Sequence, residues 1–274
     1  MATINGTHGD DILVALAAGD ILNGLEGDDL LIADGLDDTT LNGGPGHDQF
    51  YADNGNGNTL NGGEGDDVYT GVNFDNSTFN GGDGNDYASA PVAYNSTLSG
   101  GAGDDHLAVG GDNNILNGGA GNDYLEGFDS EQPGTNILIG ADGDDVLTVY
   151  HGGALTGGEG SDRFDLIHTG DATLITDFQH NATRGALQPE DMLNLEVWQT
   201  FALGEPLDKS LNALVGQGYL VVESGENIGG DAALDTVVQF DLDGRAGPAA
   251  PQTIVTLLDT TLTTYGADMN NWLA

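Results

Sequence analysis

Apolar residues fall in two columns along the first 164 residues, and each column returns about every nineteen positions. Their neighbours alternate between apolar and polar, as in Thr59-Leu60-Asn61, which favours half-buried strands over helices. The pattern therefore predicts two short strands in every repeat, each with one inward residue. One column contains Leu13, Leu31, Phe50, Tyr69, Ala88, Leu107, Leu125, Leu147 and Phe164, and the other contains Leu22, Leu41, Leu60, Phe79, Leu98, Leu116, Leu138 and Leu155.

A glycine-aspartate phrase separates the strands and occurs nine times, most fully as Gly62-Gly63-Glu64-Gly65-Asp66-Asp67. A fixed period of this length is typical of solenoids, in which each unit buries its apolar face against its neighbours. We predict an all-β, right-handed parallel β-roll of about nine coils over residues 1–164, with two parallel sheets packed face to face. The sixth position of the phrase holds Asp11, Asp29, Asp48, Asp67, Asp86, Asp105, Asp123, Asp145 and Asp162.

The turns suggest a metal. Glycines allow the backbone to adopt positive φ and to direct carbonyl oxygens into a common space, to which the aspartate adds a carboxylate. Stacked turns would then form oxygen cages between successive coils. Calcium accepts six to eight oxygen ligands in irregular geometry. Softer metals prefer thiolate ligands, and the chain has no cysteine to provide them. A turn needs glycine but not a recurrent carboxylate, which argues against the alternative that these repeats only form turns.

The phrase Gly-Gly-x-Gly-x-Asp-x-apolar-x resembles the nonapeptide of the RTX (repeats-in-toxin) proteins, whose repeats form a calcium-loaded β-roll. The resemblance implies that the nine sixth-position aspartates bind calcium together with carbonyls of the glycine positions. Those glycines are Gly44, Gly46, Gly63, Gly65, Gly82, Gly84, Gly101, Gly103, Gly119, Gly121, Gly143, Gly158 and Gly160.

The spacing departs from that family, in which the phrase returns every nine residues. Here it returns about every nineteen, and the intervening turns, such as 52–57, 72–76 and 91–95, share no ligand column. We therefore expect one file of about eight calcium ions along one edge of the roll, with the opposite edge bare or only patchily occupied.

Charge supports a cation partner. The chain has 45 acidic and 4 basic residues and a formal net charge of −41, which opposes a compact state and disfavours nucleic-acid binding. We expect calcium to fold an otherwise expanded chain. No segment has the length of a membrane span, and the apolar run at 12–18 is too short and acidic in its flank to be a signal peptide.

After Phe164 the glycine phrase stops, and we predict a β-rich capping and secretion-signal region at 165–274, with strands at 173–178, 192–198, 219–223, 235–242 and 253–258. Parts of it resemble the C-terminal export targets of type I secreted RTX adhesins. Asp241 and Asp243 also resemble the opening of a calcium loop, although such a dipeptide spacing is more often a hairpin turn.

The function predicted is a calcium-dependent folding and export module of a secreted protein, a surface adhesin of a Gram-negative bacterium, acting as a monomer with the type I secretion machinery. Two alternatives stay open: the tail of a secreted hydrolase or polysaccharide-modifying enzyme, and an ice- or ligand-binding surface. The latter would use Thr40, Thr59, Thr78 and Thr97 beside Thr39, Asn58, Ser77 and Ser96. The six histidines follow no column, and no catalytic motif stands out, so we expect no enzyme activity in this chain.

Overall fold

A computed structural model describes residues 1–128, 135–167 and 173–177, together with strands at 192–194, 220–226, 235–240 and 252–257. Two sheets of thirteen and ten strands run along the molecule. Through the repeats, odd-numbered strands lie in the first sheet and even-numbered strands in the second, so each coil contributes one strand to each sheet. The predicted all-β parallel solenoid of about nine coils is confirmed. No helix among the described residues is long and apolar enough to cross a membrane.

The first sheet contains, in spatial order, β1 (Thr3–Asn5), β3 (Ile21–Asn23), β5 (Thr40–Pro45), β7 (Thr59–Glu64), β9 (Thr78–Asp83), β11 (Thr97–Ala102), β13 (Ile115–Ala120), β15 (Ile137–Asp142), β17 (Gly153–Glu159), β19 (Thr173–Ile175), β23 (Gln252–Leu257), β22 (Asp235–Phe240) and β21 (Leu220–Glu226). The second sheet contains β2 (Ile12–Val14), β4 (Leu30–Ile32), β6 (Gln49–Tyr51), β8 (Val68–Thr70), β10 (Tyr87–Ala90), β12 (His106–Gly110), β14 (Tyr124–Phe128), β16 (Val146–Val149), β18 (Arg163–Leu166) and β20 (Met192–Asn194).

The core is the space between the two sheets, and both predicted apolar columns face it. Every residue of the two columns is buried, and all but Leu13 are at most 1 % exposed. Aromatic rings fill the middle coils: Phe79 lies edge-on to Phe50, with ring centroids 6.3 Å apart, and stacks on Tyr69 at 6.0 Å. Ala88, the small member of its column, is nevertheless fully buried. The strict two-residue alternation of the strands places these side chains on the inner faces.

The parallel ladder continues past residue 164. Strand β19 pairs with β17, and β20 pairs with β18, so both sheets gain a further strand beyond the last glycine phrase. Strand β23 then pairs in parallel with β19, while β22 and β21 add antiparallel strands. Each of the five strands predicted for the C-terminal region overlaps an observed strand. Asp241 and Asp243 lie outside the described residues.

Candidate metal centre

The glycine-aspartate loops stack along one edge of the roll. Each loop leaves the first sheet and enters the second, as between β7 and β8. The first half of the loop is still in the sheet, because Gly63 pairs with Gly44 on one side and with Gly82 on the other. The pairing holds equivalent loop positions of successive coils level with each other, so the sixth-position aspartates form one column at the edge.

One carboxylate oxygen of each aspartate is used to link the coils. The backbone N–H of Asp48 donates to Oδ1 of Asp67 at 2.7 Å, and the N–H of Asp67 donates to Oδ1 of Asp86 at 2.7 Å. The same bond joins every consecutive pair from Asp11 to Asp162. The aspartate column therefore positions its own side chains, because Oδ1 satisfies a backbone donor of the preceding coil.

The other carboxylate oxygen faces a different environment. In the described part of the chain, Oδ2 is buried and has no hydrogen-bond partner in the aspartates of coils two to eight, which are at most 2 % exposed. These residues are Asp29, Asp48, Asp67, Asp86, Asp105, Asp123 and Asp145. A buried anionic oxygen without a partner is costly, so its recurrence in seven consecutive coils requires a physical reason.

Glycine allows the carbonyl oxygens of one loop to lie close to the backbone of the next loop. Gly44 has φ 119° and Gly46 has φ 149°, and a methyl group at these positions would overlap the carbonyl oxygens of Leu25 and Gly27 in the preceding coil. The same positive φ and the same close carbonyl recur at Gly63, Gly65, Gly82, Gly84, Gly101, Gly103, Gly119, Gly121, Gly143, Gly158 and Gly160. At every glycine predicted as a ligand position, a carbonyl oxygen of the preceding coil therefore leaves no space for a Cβ atom.

The first glycine of the phrase has a different role. A methyl group on Gly24 would overlap Oδ2 of Asp29 and would also lie 2.7 Å from the carbonyl oxygen of Gly43 in the next coil. The two oxygens thus border the same small space. The same pair of neighbours, the Asp Oδ2 of its own loop and the first-glycine carbonyl of the next loop, surrounds Gly62, Gly81 and Gly140.

These oxygens fit a hard cation. Acceptors face acceptors, so no hydrogen bond can form between them, whereas a cation would bind all of them at once. Among the residues described, no three His, Cys, Asp or Glu side chains form a group that could hold a metal. A cation between the loops would thus take one carboxylate and several backbone carbonyls, a ligand set that suits calcium.

Burial also disfavours the ionised form of these aspartates when no cation is bound. It raises the pKa of Asp67 to about 8 and the pKa of Asp105 and Asp145 to about 7. The hydrogen bond from the preceding coil lowers each pKa, while the charges of neighbouring aspartates raise it further. The stacked column is therefore destabilised by its own ionisation unless positive charge lies between its members.

The opposite edge contains a neutral counterpart. The N–H of Asn58 donates to Oγ of Ser77 at 3.0 Å, and the N–H of Ser96 donates to Oδ1 of Asn114 at 2.9 Å, so side-chain oxygens link the coils as they do in the acidic column. Where a side chain here has a second polar atom, that atom is a donor and not an acceptor: Nδ2 of Asn114 donates to the carbonyl of Ala93 at 2.8 Å, whereas Nδ2 of Asn58 is buried without a hydrogen-bond partner. We call this the neutral column; its members are Thr39, Asn58, Ser77, Ser96, Asn114 and Asn136.

The two edges form a comparison within one molecule. Thr, Ser and Asn make the coil-to-coil hydrogen bond without charge, so that bond does not require aspartate. Aspartate differs from these residues in having Oδ2, a second acceptor oxygen that has no hydrogen-bond partner in coils two to eight. The leftover acceptor is the strongest indication that the acidic edge binds a cation.

The neutral column corrects one sequence prediction. Thr39, Asn58, Ser77 and Ser96 were expected beside the threonine column as part of a flat hydroxyl surface, but they are at most 2 % exposed. They face the edge of the core, because their oxygens accept hydrogen bonds from buried backbone groups. The threonine column is instead flanked on the outer face by asparagines such as Asn42 and Asn61, which are hydrogen-bonded to each other at 2.7 Å.

The first coil departs from the others. Oδ2 of Asp11 accepts hydrogen bonds from the N–H of Thr7 at 2.6 Å and from its Oγ1 at 2.8 Å. A methyl group on Gly27 would meet the carbonyl carbon of Gly9 and the nitrogen of Asp10, not a carbonyl oxygen. The first coil keeps the carbonyl of Gly24 and Oδ2 of Asp11 beside Gly6, but this Oδ2 is already hydrogen-bonded, and the assignment of Asp11 as a ligand stays a prediction.

A scan against models of protein families matches the RTX calcium-binding nonapeptide repeat (4 copies) at residues 5–40, 40–58, 57–77, 92–127 and 132–152. A search of the curated proteins finds no significant match. The matched stretches contain seven of the nine glycine-aspartate loops, and the loops at 81–86 and 157–162 lie outside them.

Proposed function

We propose that calcium bound between the loops folds this chain, which is an RTX β-roll protein. We also propose that calcium-driven folding of the roll serves the export of a secreted protein. Calcium binding is the general property of such repeats. The finer proposal is that the roll is a folding and export module whose native state depends on the ion.

The buried Oδ2 atoms carry this proposal. Seven buried carboxylate oxygens have no hydrogen-bond partner among the described residues, so a cation would supply the missing partner, and burial raises the pKa of side chains such as Asp48 and Asp67. The whole chain has a net charge of −41, so the ions also reduce repulsion that otherwise opposes compaction. The free energy of calcium binding then becomes free energy of folding.

Such coupling suits export. Cytosolic calcium is scarce and extracellular calcium is plentiful, so the chain would stay threadable inside the cell and fold after leaving it. We propose type I secretion as the route, an extracellular or cell-surface location, and a binding role in an adhesin, with no catalysis in this chain. If the roll instead trails a secreted hydrolase or a polysaccharide-modifying enzyme, the same folding mechanism applies.

Circular dichroism tests the coupling. Far-ultraviolet spectra and thermal melts are recorded in chelator, in millimolar calcium and in millimolar magnesium. We expect strand signal and a cooperative melt in calcium, and loss of both in chelator, with magnesium substituting poorly because it demands a tighter octahedral site. Equal strand content and equal melting temperature in chelator and in calcium would refute the proposal.

A further inference from the structure

The last glycine loop, residues 157–162, has no tenth glycine phrase to stack on, and one side chain takes its place. The backbone N–H of Gly157 donates to Oδ1 of Asp177 at 2.9 Å, and the N–H of Gly158 donates to Oδ2 of Asp177 at 2.8 Å. Asp177 lies beyond the repeats and belongs to no glycine phrase.

An earlier coil shows what this carboxylate replaces. In the second coil the N–H of Gly24 donates to the carbonyl of Asn42 at 2.8 Å, and the N–H of Leu25 donates to the carbonyl of Gly43 at 3.0 Å. The two oxygens of Asp177 accept the equivalent pair of N–H groups in the ninth coil. The side chain thus substitutes for two backbone carbonyls of a following loop.

One of those replaced carbonyls borders a cage. The Gly43 oxygen faces the same space as Oδ2 of Asp29. Oδ2 of Asp177 accepts the N–H bond that this carbonyl accepts in the second coil, and its charge acts on Asp162. A methyl group on Gly157 would overlap Oδ2 of Asp162, which shows that the Asp162 carboxylate folds over its own loop as in the other coils. Burial raises the pKa of Asp162 to about 6, and the negative charge of Asp177 adds to the rise.

The neighbouring strand fixes Asp177 in this place. Strand β19 pairs with β17 through Leu155 and Ile175, so Asp177, two positions further on, is level with Gly157. The N–H of Thr176 donates to the carbonyl of Leu155 at 2.9 Å, and the Thr156 and Thr176 hydroxyls are 2.7 Å apart. The carboxylate is therefore held at the end of the loop column by regular sheet pairing.

We propose that Asp177 closes a further calcium site at the end of the file, together with Asp162 and the carbonyl oxygens of Gly158 and Gly160. This inference rests on the proposed function, since it extends the same file of ions. Each carboxylate oxygen has a second lone pair available after accepting one N–H, so hydrogen bonding does not prevent coordination. The ion would fasten β19, the first strand after the repeats, to the roll.

Calcium counting on the full chain tests the site. Bound calcium per chain is measured by equilibrium dialysis with elemental analysis for the wild type, Asp177→Asn and the control Asp142→Asn. Asp142 is an exposed third-position residue of the preceding loop, so its replacement makes the same charge change away from the cage. We expect Asp177→Asn to bind one ion fewer than the wild type and Asp142→Asn to bind the wild-type number.

The outcomes separate the inference from the proposed function. If the wild type binds no calcium, the proposed function fails; if Asp177→Asn folds and binds as many ions as the wild type, only the inference fails and Asp177 merely caps the loop. If Asp177→Asn does not fold, anomalous diffraction from wild-type crystals grown in calcium decides. A calcium peak between Asp162 and Asp177 supports the site, and its absence there overturns it.

Discussion

Replacing Asp67 with asparagine should change how stability depends on calcium, and the sign of its effect should reverse with calcium concentration. The amide oxygen keeps the hydrogen bond from the N–H of Asp48, now 2.7 Å, so the link between coils survives. Only the buried Oδ2 is lost, and with it the carboxylate ligand of one cage. In its place stands an amide donor like Nδ2 of Asn114 in the neutral column, which donates to a carbonyl.

The magnitude follows from ion linkage. An ion that binds only the folded state adds about 1.4 kcal/mol to the free energy of unfolding for each tenfold rise in its concentration above the dissociation constant. Loss of one ion lowers that slope by the same amount, which is about 2.7 kcal/mol over a hundredfold range. At the lowest calcium concentrations the variant should be the more stable protein, because its folded state no longer buries the Asp67 carboxylate, whose pKa burial raises to about 8.

Urea unfolding at calcium concentrations from 0.1 to 10 mM measures the slope. The matched control is Ser77→Ala on the neutral column, which leaves the buried N–H of Asn58 without its acceptor. The control should lose about 1 to 3 kcal/mol at every calcium concentration and keep the wild-type slope. If the Asp67→Asn line runs parallel to the wild-type line, Asp67 does not bind calcium and the reasoning from Oδ2 is wrong.

Two further predictions concern the loops. Gly63→Ala should reduce the melting temperature strongly, because the φ of Gly63 is 134° and the added methyl would overlap the Gly44 carbonyl. The control Gly9→Ala has open space around the methyl and should melt nearly as the wild type does. Equal melting temperatures for the two variants would contradict this prediction. In chelator, acidification from pH 8 to pH 4.5 should increase strand content. The folded-state pKa is about 8 for Asp67 and about 6 for Asp48, above the unfolded value of about 3.9, so the stabilisation is complete at low pH and is lost as pH rises through those values. A strand signal that stays flat or falls on acidification, followed by circular dichroism, would count against it.

The core of the roll follows from the sequence because its period is strict. Residues such as Leu60 and Leu98 recur with one polar neighbour on each side, and burial of that column needs no information beyond the repeat. The positions of the loop glycines could be predicted from the sequence as well, because a positive φ strongly favours glycine over other residues. The observed strands run further into the loops than the pattern suggests: β7 extends to Glu64 because the loop glycines still pair with those of adjacent coils.

Features without a fixed residue type were missed. The neutral column uses Thr39, Asn58 and Ser77 in turn, because any side-chain oxygen can accept the same hydrogen bond, so no single letter repeats. Phe74 lies in an intervening turn with no shared ligand column, yet it is fully buried and packs on Tyr69 with ring centroids 4.6 Å apart. Asp177 lies outside the period altogether, and only the pairing of β19 with β17 shows what it contacts.

Anomalous diffraction from crystals grown in millimolar calcium tests the central claim most directly. The account predicts a row of calcium peaks along the acidic edge, each about 2.3 to 2.6 Å from an aspartate Oδ2 such as that of Asp67 and from carbonyl oxygens of the adjoining loops. It predicts no such row along the neutral column. Peaks missing from the acidic edge, with Oδ2 of Asp67 bonded to water or to a protein donor instead, would contradict it.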